Sequence, residues 1–458
     1  MSGRRSMIND LTEGNVARQL LIFAYPFAIS NVLQLVYNLV DMMVIGRFVG
    51  STGLSAVAVG GDVLNLMTHI CLGFTTAGQI MIAQYVGRGE RDNVSRTIGT
   101  MFTSVFIGAV VLAAVCMLFA DGILDVMNTP DAARAQARSY ILVCFAGMVF
   151  IYGYNTVSAI LRGMGDSKRP LIFIAAAAVM NLCLDLLFVA KFKMDAFGAA
   201  LATVMGQAAS FIGSLIYLYR RRSAFGFDFK LSSFRMTGRI FRPMLKLGLP
   251  LALQHISISI SMMVVAALAN SFGVVASAVH GVGAKLTTTT SAFSNALGAS
   301  SAAMIGQNVG AGKLDRVQKI LRTAYTVTIS VFIVIGSVFL LFPKGVFGLF
   351  SSDPDILAWA PVYMRPCVLC MFSFALIGPA LSLVNGVGDA GFSLFVGILD
   401  GVVARIGLAV LFGIVLGYGV QGFWYGNACA AYFTAIPAII YHLSGHWKRR
   451  KLIIGDRE

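Results

Sequence analysis

Two aspartates in this chain sit where a charge is costly. Asp41 lies in Tyr37-Asn38-Leu39-Val40-Asp41-Met42-Met43, inside a long apolar run that begins near Val16, and Asp185 ends a second such run four residues after Asn181. An ionised side chain at membrane depth costs several kcal/mol unless it meets a partner or water, so acids in such runs are functional candidates. Residues four apart share a helix face, which pairs Asn181 with Asp185 and Tyr37 with Asp41. Asp41 lies 23 residues past Arg18 (41 − 18) and Asp185 lies 16 past Arg169 (185 − 169). At about 1.5 Å per residue both carboxylates then fall in the outer half of a bilayer. Thr203, eight residues past Asp195 (203 − 195), belongs to the same level. Two carboxylates, an amide and a hydroxyl are hard oxygen donors that suit Na⁺. Two carboxylates in one low-dielectric cavity also favour sharing a proton, so the set Asp41, Asn181, Asp185 and Thr203 could couple to Na⁺ or to H⁺. The competing reading is a set of buried polar residues that only pins helices together.

The elements that would position these residues are membrane helices. The chain has 458 residues, 57% hydrophobic and 12% charged, and about half the charged share of a soluble domain. Apolar stretches of roughly 20 residues, enough to cross a bilayer, recur near 16–40, 53–80, 95–119, 138–161, 170–190, 196–219, 244–268, 274–304, 320–342, 357–384, 391–415 and 418–441. The expected fold is an all-α polytopic membrane protein of twelve transmembrane helices. The net charge of +15 does not indicate nucleic acid. Most Lys and Arg fall in the tails and in the loops on the side of the N-terminus, including Arg88, Arg91, Arg96, Arg220 to Arg222 and Lys448 to Lys451. The positive-inside rule then places both termini in the cytoplasm of a multi-pass inner-membrane protein. The polar segment with Arg4 and Arg5 precedes a run too long for a signal-peptide core, so the first span is retained. The seven cysteines read as reduced packing residues, Cys367 and Cys370 being the one close pair.

The chain repeats itself. Ile82-Ala83-Gln84-Tyr85-Val86-Gly87-Arg88-Gly89 returns as Ile305-Gly306-Gln307-Asn308-Val309-Gly310-Ala311-Gly312, and Gly163-Met164-Gly165-Asp166 returns as Gly386-Val387-Gly388-Asp389, both at an offset of 223 (307 − 84 and 386 − 163). Pro26 answers Pro250 at 224 (250 − 26). Six spans per half imply two lobes in the same orientation, related by a pseudo-two-fold axis along the membrane normal. The expected domains are residues 1–219, a basic cytoplasmic linker 220–243, and residues 244–458.

Tyr25-Pro26, Tyr37-Asn38-Leu39-Val40-Asp41, Ile45-Gly46-Arg47-Phe48-Val49-Gly50, the duplicated Gln-x-Val-Gly-x-Gly and Gly-x-Gly-Asp loops, and Gly248-Leu249-Pro250 occur in order along essentially the whole chain. In these the chain resembles the multidrug and toxic compound extrusion (MATE) transporters, bacterial NorM/DinF-like branch. The resemblance implies two six-helix bundles working by alternating access as a Na⁺- or H⁺-driven antiporter that expels amphipathic, often cationic, compounds. It implies cation coupling at Asp41, Asn181, Asp185, Thr203 and Tyr37, with Tyr140 and Asn155 in the same polar network, and a bending first helix at Pro26.

The second half departs from the NorM pattern, which places acids in spans seven and ten; here spans seven and eight offer Gln254, His255 and Lys285. Coupling is therefore expected in the first lobe alone. Span eleven holds Asp400 and Arg405, whose spacing of five is poor for an α-helical pair, so each is expected to face a different neighbour. Asp62 and Lys285 are repeat mates of opposite charge (285 − 62 = 223) and are expected to form a polar gate or to face the cavity, as Gln254, His255 and Arg405 are. Imidazole as a side-chain type titrates near neutrality, which makes His255 and His280 weaker proton-carrier candidates. No P-loop, nucleophile elbow or zinc motif is present, so neither catalysis nor a cofactor is expected beyond the coupling ion. The expected partners are small amphipathic substrates and the lipid bilayer, with no nucleic acid, and the chain is expected to be a monomer. The alternative function is a lipid-linked oligosaccharide flippase of the same superfamily, which would want a strongly cationic cavity. A channel or receptor fits the duplication and the buried acids poorly.

Overall fold

The computed structural model describes residues 9–222 and 226–455; Arg4 and Arg5 lie outside them. Among the described residues the regular structure is helical throughout, with no strand. The chain divides into two compact units, Met1–Asp10 with Ile29–Gly248, and Leu11–Ala28 with Leu249–Glu458. The first helix, α1 (Val16–Phe48), is divided between them.

Unit 1 continues with α2 (Ser51–Arg88), α3 (Arg91–Leu118), the short α4 (Ala120–Val126), α5 (Asp131–Ala146), α6 (Met148–Gly163), α7 (Lys168–Asp185) and α8 (Asp195–Arg220). Its core gathers Ile45, Val57, Ala137, Phe145 and Met148. Helices α5 and α6 bend by 49° at Gly147 and together pass as one span. A Cβ at Gly147 would come within 2.3 Å of Val204, so the missing side chain lets α8 seat against the bend. After α7 the helix widens into a π segment, Leu186–Lys191.

Unit 2 holds α9 (Gly238–Asn270, from Leu249), α10 (Val274–Gly310), α11 (Leu314–Leu341), α12 (Pro343–Gly348), α13 (Pro354–Val387), α14 (Ala390–Ile398), α15 (Gly407–Val410), α16 (Gly419–Ala430) and α17 (Tyr432–Ser444). The π segments Leu399–Ile406 and Leu411–Val415 make α14 and α15 parts of one continuous span. Leu20, Phe23 and Ala24 of the first half of α1 are buried here with Met304, Ile305 and Leu321.

Helix occupies all twelve predicted spans. Nine helices among the described residues are long and apolar enough to cross a membrane, and the bent pair makes ten. The other two spans are helical but differ from these ten: α10 carries the polar run Thr287 to Ser291, and the last span breaks at Ala431 into α16 and α17.

The duplicated loops repeat in conformation as well as in sequence. Gly89 and Gly312 turn at φ 77° and 76°, and Gly165 and Gly388 at 84° and 79°. Positive φ is a conformation that glycine adopts without Cβ strain, which explains why these loops keep it. The aspartate that follows secures the next helix in each unit: Asp166 accepts from the Lys168 and Arg169 amides, and Asp389 from the Phe392 amide at 3.0 Å. This is helix capping, a structural role for the Gly-x-Gly-Asp motif.

Candidate functional site

The site in unit 1 is built where α1, α7 and α8 meet. Gly206 is the local reason α8 approaches α7 closely: a Cβ there would lie 3.1 Å from the Ala177 carbonyl oxygen and 3.3 Å from the Asn181 Cβ. Thr203, one turn earlier, is thereby brought onto Asn181. With its amide oriented to satisfy both neighbours, Asn181 donates to Asp185 Oδ2 at 2.8 Å and accepts from the Thr203 backbone amide at 3.2 Å. Tyr37 reaches across from α1 and donates its phenol to Thr203 Oγ1 at 3.2 Å. One turn along the same face, Asp41 meets Asp185 within hydrogen-bonding reach.

Asp41, Asn181, Asp185 and Thr203 are all buried, and Asp185 is 1% exposed. Asp41 Oδ1 and Asp185 Oδ1 have no hydrogen-bond partner. No Lys or Arg among the described residues pairs with either carboxylate, unlike Asp166, Asp389 and Asp400. Two buried acids in contact, each with an open oxygen and no basic neighbour, need a proton or a small cation to balance them. A small cleft opens beside Asn181 and Thr203, lined by Leu33, Gln34, Tyr37, Ile174, Ala178 and Gln207 among others. Gln207 Oε1 is also buried without a partner, and no spacing in the sequence singled it or Gln34 out.

Tyr140 packs its ring on Gly60 and lies within electrostatic reach of Cys144, Asp41 and Tyr37. Asn155 does not join them; its amide donates to the Ile151 carbonyl one turn back at 2.8 Å. Asp62 is exposed within unit 1. In unit 2, Lys285 is exposed, His255 half-buried, and Gln254 buried against Gly397. Pro26 lies inside α1, two residues before the chain passes from unit 2 to unit 1.

Arg405 is 2% exposed and does not face open space. It donates to Asp400 Oδ1 at 2.8 Å and to Asn427 Oδ1, while Thr434 donates to Asp400 Oδ2 at 3.1 Å. The expectation that Asp400 and Arg405 face different neighbours is therefore overturned. It assumed α-helical spacing, whereas Leu399–Ile406 is a π-helix, whose wider turn brings residues five apart onto one face. Asn427 and Thr434 were missed in the sequence, although the repeat offset of 224 from Thr203 points to Asn427 (427 − 203).

Gly206→Val is expected to wedge α8 from α7, part Thr203 from Asn181 and cost about 1–3 kcal/mol as overpacking. Thermal unfolding of the purified variant measures it.

A bundle of membrane-crossing helices with a paired acid site beside a small cleft defines a membrane transport protein. The MatE family model matches residues 26–187 and 250–411, and the chain belongs to that family of multidrug efflux transporters. The two matches are themselves 224 residues apart (250 − 26 and 411 − 187), so the duplication read from the loops extends through both halves. The chain is 30% identical over 451 residues to the probable multidrug resistance protein YpnP of Bacillus subtilis, covering 97% of this chain and 98% of that one. Its fold is similar to a multidrug resistance MATE family transporter of the MOP superfamily solved in an outward-facing conformation, with TM-score 0.90, 20% identity and coverage of 98% and 100%. It is also similar to a MATE solved in a bent conformation, with TM-score 0.88, 21% identity and coverage of 98% and 99%. Members of this family transport small compounds across membranes and are not enzymes.

Proposed function

We propose that this protein is a secondary antiporter of the cytoplasmic membrane, with both termini in the cytoplasm. It exports amphipathic, cationic organic compounds in exchange for Na⁺ or H⁺ bound at Asp41, Asp185, Asn181, Thr203 and Tyr37. The observation that carries this reading is the contact between two buried aspartates, each with an unpartnered oxygen and neither with a basic partner. A site so built is electrostatically incomplete until a cation enters, so its occupancy can follow a transmembrane ion gradient. The flippase reading is disfavoured by Arg405, whose charge is spent on Asp400 and is not available to a pyrophosphate. Purified protein in proteoliposomes under an imposed Na⁺ or pH gradient tests the proposal: uphill movement of a cationic dye supports it, and movement only down the dye's own gradient under both conditions defeats it.

Pro26 fits this mechanism as the flexible point of α1. Proline removes one backbone hydrogen bond from the helix interior. Here it stands beside the junction at which the first half of α1, buried with unit 2, gives way to the half that carries Tyr37 and Asp41. Pro26→Ala is expected to bind substrate with unchanged affinity and to turn over more slowly. Substrate binding and proteoliposome flux measured on the same preparation check this, and an unchanged rate would remove Pro26 from the cycle.

A further inference from the structure

The repeat places a second copy of the unit 1 cluster inside unit 2, and its residue types have been exchanged. At an offset of 224, Asn181 becomes Arg405 (405 − 181), Thr203 becomes Asn427 (427 − 203) and Ser210 becomes Thr434 (434 − 210). The contacts repeat with them. Asn181 meets Thr203 in unit 1, and Arg405 meets Asn427 in unit 2. Ser210 donates to the Phe173 carbonyl at 2.6 Å, and Thr434 lies 3.4 Å from the carbonyl of Val396, the mate of Phe173 at 223 (396 − 173).

The acids follow a different course. At the same 224-residue offset Asp41 becomes Val265 (265 − 41) and Asp185 becomes Ala409 (409 − 185). These two share one small buried apolar cluster with Phe423, so the positions of the unit 1 acid pair are apolar in unit 2. The remaining carboxylate is Asp400, whose mate in unit 1 is Ala176 (400 − 224). It is turned onto Arg405 by the π-helical segment that carries both. The unit 1 cluster thus holds two carboxyls and no fixed cation, whereas its unit 2 counterpart holds one carboxylate and one guanidinium, each almost fully buried.

We propose that unit 2 retains a repeat copy of the unit 1 cluster in a self-occupied form. The Arg405 guanidinium is the resident, tethered cation; Asp400 and Asn427 are the oxygen donors that hold it, and Thr434 donates to the other oxygen of Asp400. Unit 2 then takes up no exchangeable ion, because its carboxylate is already neutralised by a charge that cannot leave. The inference builds on reading the unit 1 cluster as a cation site, since that reading gives the copy its meaning. It carries its own consequence: taking away the tether turns unit 2 into an acceptor for a free cation. Without the guanidinium, Asp400 Oδ1 and the Asn427 carbonyl face a vacated space with one uncompensated negative charge, which suits a monovalent metal ion or a proton.

Replacing Arg405 by asparagine, the residue at its unit 1 mate, tests this on the full-length purified protein. Bound ²²Na⁺ is counted per chain at alkaline pH, and the infrared band of protonated carboxyl groups is recorded alongside it. The expected result is that Arg405→Asn gains one Na⁺, or one protonated carboxyl, over the wild-type count, and that Asp400→Asn in the same chain removes the gain. A folded Arg405→Asn chain that gains neither overturns the proposal. So does a gain that survives Asp400→Asn. Should Arg405→Asn not purify, the count is made on Asp41→Asn with Asp185→Asn, where unit 2 is intact: no bound Na⁺ is expected, and Na⁺ lost on further replacing Asp400 by Asn overturns the proposal. The two readings fail separately. A unit 1 site that binds no ion leaves the wild-type count unchanged on replacing Asp41 and Asp185, whereas the present inference is read from the increment at Arg405.

Discussion

Asp41→Asn is expected to reduce gradient-driven transport to the level of protein-free liposomes while leaving the protein folded. The amide keeps the shape of the carboxyl and its hydrogen-bonding reach to Asp185, so the packing of α1 against α7 has no new void to accommodate. What is removed is one of the two charges that a coupling ion would balance. A hydrogen bond or contact to a charged group contributes about 1.5–3 kcal/mol, which corresponds to roughly ten- to more than a hundredfold in ion affinity. Asp185→Asn is expected to do the same with a further cost, because Asn181 then faces a second amide in place of the carboxylate it donates to at 2.8 Å. Both variants are measured for dye efflux at matched expression and for monodispersity after purification. Full efflux by both, at wild-type protein levels, would dismiss the unit 1 cluster as the coupling site.

Separating the buried ion pair of unit 2 is expected to be the most destabilising pair of single changes in the molecule. Arg405→Met leaves Asp400, 3% exposed, with only Thr434 to satisfy it, and Asp400→Leu leaves a buried guanidinium with only Asn427. Removing one partner of such a pair costs about 3–5 kcal/mol, because the desolvation of the remaining charge is no longer offset. The double variant Asp400→Leu with Arg405→Met removes both charges, and replacement of a buried pair by apolar groups is often close to neutral. The expected pattern in thermal unfolding is two severe single variants and a double variant much nearer the wild type. Independent, additive losses would show that the two residues do not act as a pair.

The remaining network of unit 2 gives these predictions a structural boundary. Leu11 donates its backbone amide to Gln307 Oε1 at 3.0 Å, and Asn308 donates to the Leu11 carbonyl at 3.1 Å, so the duplicated Gln-x-Val-Gly motif receives the chain entering α1. Its role here is to anchor backbone, well removed in sequence from the charged cluster around Arg405. Variants of Gln307 therefore serve as controls for fold integrity and not for ion binding.

Much of this protein was determined by sequence alone, because in a bilayer the backbone has no alternative to internal hydrogen bonding. An apolar run of the right length is then obliged to be helical, and all twelve runs are. The acid pair was legible for the same reason: so few charges occur inside those runs that Asp41 and Asp185 stand out, and the spacing of four between Asn181 and Asp185 is a property of the α-helix itself. The repeat, too, is written in the loops, since glycine at Gly89, Gly312, Gly165 and Gly388 reflects a backbone conformation that other residues adopt only at a cost. Tertiary structure decided what depends on departures from regular helix and on which face of a helix meets a neighbour. Asn155 was drawn toward the site by resemblance, yet its amide is satisfied within its own helix. Asp400 and Arg405 looked unpaired because five residues is the wrong interval for an α-helix, and only the π-helical turn, which leaves no mark in composition or periodicity, makes it the right one. The shared apolar cluster of Val265 and Ala409 is likewise invisible as chemistry in the sequence. It acquires meaning once the folded units show that the same two positions, one repeat earlier, are the acids that touch.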